Sequence, residues 1–163
     1  MNEKLIIKMA EFDAGDPKRI QHYVKVFEFA HVIGVEEGLT EEEQKILDIA
    51  SILHDIGIIP CEKKLGYCNG KLQESEGPQY AREMLMDFPE VTEAEVERIC
   101  YLIGHHHTYK NVDGLDYQIL LEADFLVNAL EDNLDIEAIR NFKNNVFQTK
   151  TGIHMLDVMF GLV

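Results

Sequence analysis

Four polar residues of the sequence lie on helix faces that are otherwise apolar. His22 falls on the apolar stripe of its predicted helix, and His54 and Asp55 end a predicted helix that is apolar on nearly all sides. Asp124 lies within residues 119–130, a segment that is apolar nearly all round, as a central buried helix is. Imidazole nitrogens and carboxylate oxygens are donors that divalent metals take in proteins. The first chemistry to consider is therefore metal binding.

Asp124 is the most informative of these residues. An unpaired carboxylate in apolar surroundings costs roughly several kcal/mol, so Asp124 must be protonated, paired with a base or bound to a cation. A divalent cation shared by Asp55 and Asp124, with His22 and His54 as neutral nitrogen donors, would satisfy both carboxylates. Two imidazoles and two carboxylates suit iron, manganese, nickel, cobalt or zinc better than calcium. Taken alone, His22 would instead be explained as a core histidine that donates to a neighbouring carbonyl.

Three consecutive histidines close another predicted helix. His106 continues the apolar stripe of that helix, and His105 lies on a neighbouring stripe. Histidines at a helix C-terminus also interact favourably with the helix dipole while exposed to solvent, so either explanation fits any one of them. Arg19 lies one turn before His22 on roughly the same side, and its guanidinium could point toward whatever His22 holds. A surface arginine at a helix start is the alternative.

The overall charge excludes some classes of partner. The chain has 30 acidic and 15 basic residues, a formal net charge of −15. Such a surface repels nucleic-acid polymers and acidic membranes, whose binding depends on lysine and arginine. No apolar run has the length of a membrane span, no signal peptide is recognisable, and the three cysteines show no close pair. These features predict a reduced, cytoplasmic protein whose partners are neither nucleic-acid polymers nor membranes.

Helix signals recur along the chain, and strand signals are scarce. Capping residues at Asp16, Thr40 and Thr92 predict helix starts. Proline and glycines predict a long loop over 60–75, and its lysines either gather an anionic substrate or are simply solvated. The sequence therefore predicts an all-α, single-domain helical bundle over residues 1–163. The predicted helices are 3–13, 17–38, 40–57, 77–88, 92–107, 116–131, 135–148 and 151–162.

The order and spacing of these residues resemble a known family, the HD-domain superfamily of metal-dependent phosphohydrolases, in its small single-domain bacterial type. The resemblance covers roughly residues 17–130, with the C-terminal helices 135–162 expected to pack on that core. It is carried by His22, His54-Asp55 in the string HDIG, the histidines at 105–107, and Glu122-Ala123-Asp124.

The resemblance implies roles for individual residues. His22, His54, Asp55 and Asp124 would ligate one metal. His105 or His106 would approach the substrate or a second metal, and Arg19 would contact phosphate. Two-metal members usually carry a further histidine in the helix after the loop, and the stretch 72–78 has none, which argues against a second metal although Glu74 or Glu76 could substitute. The GYP tripeptide of cyclic-di-GMP phosphodiesterases is also absent.

The function expected from this is hydrolysis of a phosphoester in a small anionic metabolite, a nucleotide in the first instance. A water activated by the metal would attack, with Asp55 orienting it or accepting its proton. Arg19 and an inward histidine of the 105–107 run would stabilise charge on the phosphoryl oxygens. Two alternatives stay open, a non-catalytic metal-bound sensor or binding module and an HD-type diiron oxygenase. The C-terminal helices either complete the core or form a homodimer face.

Overall fold

The computed structural model describes all 163 residues. It contains nine helices, and no residue lies in a β-strand. The prediction of an all-α fold is therefore confirmed. None of the helices combines the length with the apolar composition that a bilayer crossing requires. In chain order they are α1 (Asn2–Phe12), α2 (Pro17–Glu37), α3 (Glu41–Leu53), α4 (Ile58–Leu65), α5 (Gly70–Leu85), α6 (Glu93–Ile103), α7 (Leu115–Glu131), α8 (Ile136–Val146) and α9 (Lys150–Phe160).

Side-chain caps fix where several of these helices begin. The Asp16 carboxylate accepts a hydrogen bond from the backbone N–H of Arg19 at 2.9 Å, and Pro17 occupies the first helical position. Thr40 and Thr92 each form a capping box with the glutamate three residues later. These starts are the ones that the sequence predicts. The start of α2 matters most for the functional site, because it places Arg19 in the first turn of that helix.

The segment 60–75 is not the long loop that its proline and glycines predict. It contains most of α4 and the first turns of α5. Pro60 lies in the first turn of α4, where a backbone N–H has no helical partner to lose. Gly66 ends α4 in the left-handed conformation with φ 79°, and Asn69 caps α5 by accepting from the Leu72 N–H at 3.0 Å. The loop prediction was wrong because proline, glycine and asparagine, which are typical of loops, also occur at the ends of helices. Here they begin and end α4 and begin α5.

Helix α7 occupies the centre of the molecule. Helices α2 and α3 pack against it, α9 covers it from another side, and α5 and α6 pack on each other beside α3. Buried apolar side chains form one continuous cluster that runs from Leu5 in α1 to Leu156 in α9 and includes Ile139 of α8. Both C-terminal helices therefore complete the core.

A buried carboxylate on α7 holds the last helix in place. Glu122 is fully buried, and one carboxylate oxygen accepts from the backbone N–H groups of Gln148 at 2.7 Å and Thr149 at 3.0 Å. The Thr149 hydroxyl and the Gln118 amide also donate to this carboxylate. Gly152 is required beside it, since a Cβ there would overlap a Glu122 oxygen. Glu122 is therefore satisfied by the start of α9 and is not available as a ligand.

A second buried carboxylate has fewer partners. Asp13 follows α1 and is 1% exposed, and neither its Oδ2 nor the hydroxyl of buried Tyr23 has a hydrogen-bond partner in the protein. Burial raises the pKa of Asp13 to about 6, although the positive charge of Arg19 opposes the shift. Asp13 therefore keeps its proton in the folded chain at pH values where the unfolded chain has lost it.

Candidate metal centre

Three helices bring one nitrogen or oxygen donor each to a common point. His22 comes from α2, His54 follows the last residue of α3, and Asp124 lies in the middle of α7. His22 Nε2 lies 3.2 Å from His54 Nε2 and 3.2 Å from Asp124 Oδ1, and His54 Nε2 lies 3.5 Å from the same oxygen. These three residues are buried, and their donor atoms all lie within 4.8 Å of one another.

Asp55 joins this cluster to a second one. Its Oδ2 lies 3.5 Å from the Nε2 atoms of both His22 and His54, and its Oδ1 lies 3.6 Å from His106 Nε2. Asp55, His106 and His107 form a second group whose donor atoms lie within 4.8 Å of one another. Asp55 therefore stands between two sets of potential ligands.

Each inward imidazole is oriented through its other nitrogen. Assigned from the hydrogen-bond network, the Nδ1–H of His54 donates to the Ser51 carbonyl at 2.7 Å, and that of His106 donates to the Ile103 carbonyl at 2.7 Å. The Nδ1–H of His22 donates instead to a carboxylate, Glu131 Oε2, at 2.9 Å. Each ring thus directs Nε2 toward the aspartates, which is the arrangement that metal-ligating histidines adopt.

The aspartates have no lysine or arginine to neutralise them. Their ionisable partners are all histidines, and Asp124 additionally accepts from the Asn128 amide at 2.9 Å. Burial raises the pKa of Asp124, but hydrogen bonds from His22 and His54 outweigh burial and hold it well below its ordinary value. Burial lowers the pKa of His54, and the two aspartates outweigh that effect and raise it to about 9. Protons therefore compensate the two carboxylates, and a divalent cation bound here would displace them.

A polar cleft of about 280 Å³ opens onto the cluster. Arg19 and Lys18 supply the positive charges of its lining, and Ile58 is its single apolar residue. The guanidinium of Arg19 is loosely held, since its nearest carboxylate oxygens, on Asp16 and Glu62, both lie 3.5 Å away. The other lining residues are His22, Asp55, Gln73, His107, Asp124, Asn128, Glu131 and Asp132, together with Asp16.

Comparison with known proteins agrees with this geometry. The family model described as HD domain matches residues 19–139, well over half of the chain. The chain belongs to the HD-domain family. HD domains bind divalent metals, and the histidine and aspartate groups described above are ones that could hold such an ion.

Two relatives place this HD domain more closely. It is 31% identical over 108 residues to the 3'3'-cGAMP-specific phosphodiesterase 1 of Vibrio cholerae. The aligned residues make up 64% of this chain and 24% of the relative. This HD domain thus spans about a quarter of that protein. The crystal structure of a predicted HD superfamily hydrolase from an uncultured Thermotogales bacterium matches with a TM-score of 0.69 and 27% identity, over 98% of this chain and 85% of the other. The fold is therefore that of an HD-superfamily hydrolase.

The structure brings together most, but not all, of the site residues that the sequence predicts. His22, His54, Asp55 and Asp124 converge, His106 reaches Asp55, and Arg19 lines the cleft. His105 does not join them. Its Nδ1–H donates to the Tyr101 carbonyl at 2.7 Å, and its ring stacks on the Tyr101 ring with centroids 4.2 Å apart. The helix end therefore directs His105 away from the cleft, and His107 takes a place in the lining instead.

Two residues of the site, Gln73 and Glu131, escape the sequence argument, and a third, His107, belongs to the histidine run from which the resemblance favoured His105 or His106. Gln73 of α5 presents Oε1 at 3.3 Å from His106 Nε2 and at 2.5 Å from His107 Nε2. Burial, reinforced by the neighbouring His106, lowers the pKa of His107 to about 4, so its imidazole is neutral at pH 7. Glu131 follows Asp124 by seven residues, two turns along the same face of α7, and this spacing was a signal that could have found it. No signal in the sequence indicated Gln73, because its segment was predicted to be a loop.

Proposed function

We propose that this HD domain is a metal-dependent hydrolase of phosphoesters whose substrate is a small phosphorylated metabolite, in the first instance a nucleotide. The observation that carries the proposal is a pair of carboxylates, buried Asp124 and largely buried Asp55, which converge with two imidazoles and no lysine or arginine at the base of a cleft. The family and the fold support a hydrolase. The similarity to a phosphodiesterase that is specific for 3'3'-cGAMP supports a nucleotide.

His22, His54, Asp55 and Asp124 would hold one divalent cation. The donor set fits such an ion, because both carboxylates lack a permanent cationic partner and every imidazole already has its Nδ1–H engaged. Two nitrogen and two oxygen donors suit iron, manganese, nickel, cobalt or zinc. The bound ion would acidify a water molecule and polarise a phosphoryl oxygen.

A second cation would meet a different environment. Asp55, His106 and His107 are within reach of one another, but the fourth nearby group is the amide of Gln73. An amide oxygen is a weaker donor to transition metals than an imidazole nitrogen. We infer that one ion is bound tightly and that a second is held weakly.

Residues at the cleft would orient the attacking water molecule and bind the substrate. Asp55 faces both groups and can orient a water molecule or accept its proton. Arg19 can exchange its two distant carboxylate partners for a phosphate, which a guanidinium binds through two parallel hydrogen bonds. Since His107 is neutral at pH 7 and lines the cleft, it can accept a hydrogen bond from the substrate or donate one to it. His106 and Arg19 would stabilise charge on the phosphoryl group.

The test combines metal analysis with turnover of a phosphoester panel. Asp55→Ala should lose both the bound metal and the turnover, while the helical circular dichroism spectrum is retained. The matched control is His154→Ala, which removes an exposed imidazole of α9 far from the cleft and should change neither. Full turnover by Asp55→Ala, or no turnover of any phosphoester by the metal-loaded chain, would overturn the proposal. Ligand binding without turnover would identify a sensor instead.

A further inference from the structure

The cleft over the metal centre offers nothing for the organic part of a substrate. Its lining holds one apolar side chain, Ile58, and no Phe, Tyr or Trp. Arg19 and Lys18 suit a phosphoryl group, but proteins bind nucleobases independently of their sequence by stacking them on aromatic rings. A substrate with a nucleobase would find such a ring only outside the cleft.

A second hollow, of about 470 Å³, adjoins the cleft. His107 lines both of them, and its ring lies against Gly70, where a Cβ would approach His107 Cγ to 2.9 Å. The imidazole of His107 is thus the partition between the two spaces. The remaining lining residues of the hollow are Asn69, Lys71, Glu74, Thr108 and Tyr109.

Lys71 is the cationic group that this hollow offers to a ligand. One oxygen of its single carboxylate, Glu74, accepts from the His107 backbone N–H at 3.0 Å and from the Thr108 hydroxyl at 2.9 Å, and these bonds hold the carboxylate against the chain. Lys71 is exposed and pairs with no carboxylate, in contrast to Lys64, whose ammonium is paired with Glu76. The ammonium of Lys71 is therefore free to meet an anionic group of a ligand.

The hollow also contains the aromatic ring that the cleft lacks. Tyr109 is 45% exposed, and the edge-to-face packing of its ring against Phe142, with centroids 5.2 Å apart, fixes the ring in place. Burial raises the pKa of the phenol, and the charges of Asp124 and Glu74 add to the effect, so the hydroxyl stays protonated at neutral pH. Tyr109 therefore presents an uncharged ring, held by Phe142, in the hollow beside the cleft.

We propose that this hollow is a distal subsite for a dinucleotide-like substrate, one whose scissile phosphate lies over the metal ligands while a base stacks on Tyr109 and a second phosphate meets Lys71. This inference rests on the proposed function and narrows it, since a substrate with a single phosphate and no ring would leave the hollow unused. His107 would separate the scissile phosphate from the rest of the molecule.

The experiment compares a long and a short substrate on the metal-loaded full chain. Tyr109→Ala should lower kcat/KM for a linear 5'-phosphorylated diadenylate by about 5- to 100-fold, mainly through KM, because stacking on a ring is lost. Lys71→Ala should lower it by about 2- to 5-fold, and less at high salt. Neither should change turnover of p-nitrophenyl phosphate, which cannot span both spaces. Tyr109→Phe keeps the ring and should retain most of the activity.

Lys63→Ala is the matched control, since Lys63 is an exposed lysine of α4 that lines neither space. Equal losses on both substrates, or no loss on the diadenylate, would overturn the subsite. If the wild type turns over neither substrate, the proposed function fails, and the subsite is then judged by equilibrium binding of a fluorescent diadenylate. Weaker binding in Tyr109→Ala and Lys71→Ala but not in Lys63→Ala would support it, and equal binding in all variants would refute it.

Discussion

Replacing Glu131 by glutamine tests whether the carboxylate behind His22 also sets the affinity of the metal centre. Glu131 closes α7, is 12% exposed, and accepts from His22 Nδ1–H at 2.9 Å and from Lys25. His54 and His106 use backbone carbonyls for the same purpose, so His22 is the one imidazole of the three whose orientation depends on a charged side chain. Glutamine preserves the shape of Glu131 and one acceptor oxygen while removing the charge.

The expected magnitude is set by this single hydrogen bond. A bond to a charged group contributes about 1.5–3 kcal/mol and a neutral one about 0.5–1.5 kcal/mol, so the substitution removes about 1 kcal/mol from the orientation of His22. Loss of outer-shell partners of metal-bound histidines typically weakens metal binding by about 10- to 100-fold, which is about 1.4 to 2.8 kcal/mol. We therefore expect about a 10-fold weaker affinity for Glu131→Gln and up to about 100-fold for Glu131→Ala. Lys25 is well exposed, so breaking its ion pair with Glu131 adds little to the loss of metal affinity.

The assay is competition for Zn²⁺ or Co²⁺ against a chromophoric chelator at fixed pH and ionic strength. Asp132→Asn is the control, because Asp132 lines the same cleft and carries the same charge but makes no contact with His22. An unchanged affinity in Glu131→Gln would show that helix packing alone orients the ring. An equal loss in Asp132→Asn would show that the effect is the general negative potential of the cleft, and would refute the role given to the hydrogen bond.

Two further predictions concern groups that make no contact with His22. Gln73→His places a third imidazole beside His106 and His107, so elemental analysis should find the metal content rise from one to two ions per chain, and a content that stays at one would contradict the weak second site. Asp13 has a folded-state pKa of about 6 against an ordinary value of 3.8, so the folded chain binds the extra proton between these values and stability falls as pH rises through them. Asp13→Asn removes that penalty. In urea unfolding the variant should match the wild type below about pH 4 and exceed it at pH 7 by up to about 3 kcal/mol, and a difference that does not vary with pH would contradict the buried charge.

The burial of Asp124 could be predicted from the sequence because it depends on local surroundings. The residues around it within α7 are mostly apolar, so a carboxylate there needs a proton, a base or a cation wherever the other helices lie. The choice among three consecutive histidines is different. It depends on how the chain turns after α6, which directs His105 onto Tyr101 and His106 toward Asp55, and no periodicity within the helix contains that information.

The close packing of α4 on α5 is a feature that the sequence did not reveal. A Cβ on Gly57 would lie 2.8 Å from the backbone nitrogen of Gly77, so the start of α4 and the middle of α5 approach as closely as two backbones can. Glycine therefore serves here as a packing residue between two helices, whereas in the sequence it indicates a break. Gln73 and the hollow beside His107 depend on that packing, and they were missed together with it.

The hydrogen bonds of Glu122 show that the structural unit of this HD domain extends beyond the residues of its family match. That match ends at residue 139, yet the groups that satisfy Glu122 belong to Gln148 and Thr149. A chain ending at residue 139 would lack most of the donors to this carboxylate and the segment that covers it, two residues from Asp124 on the same helix. The start of α9 therefore shields the centre of α7 from water, and the structural unit around Asp124 extends beyond the family match at least through Thr149.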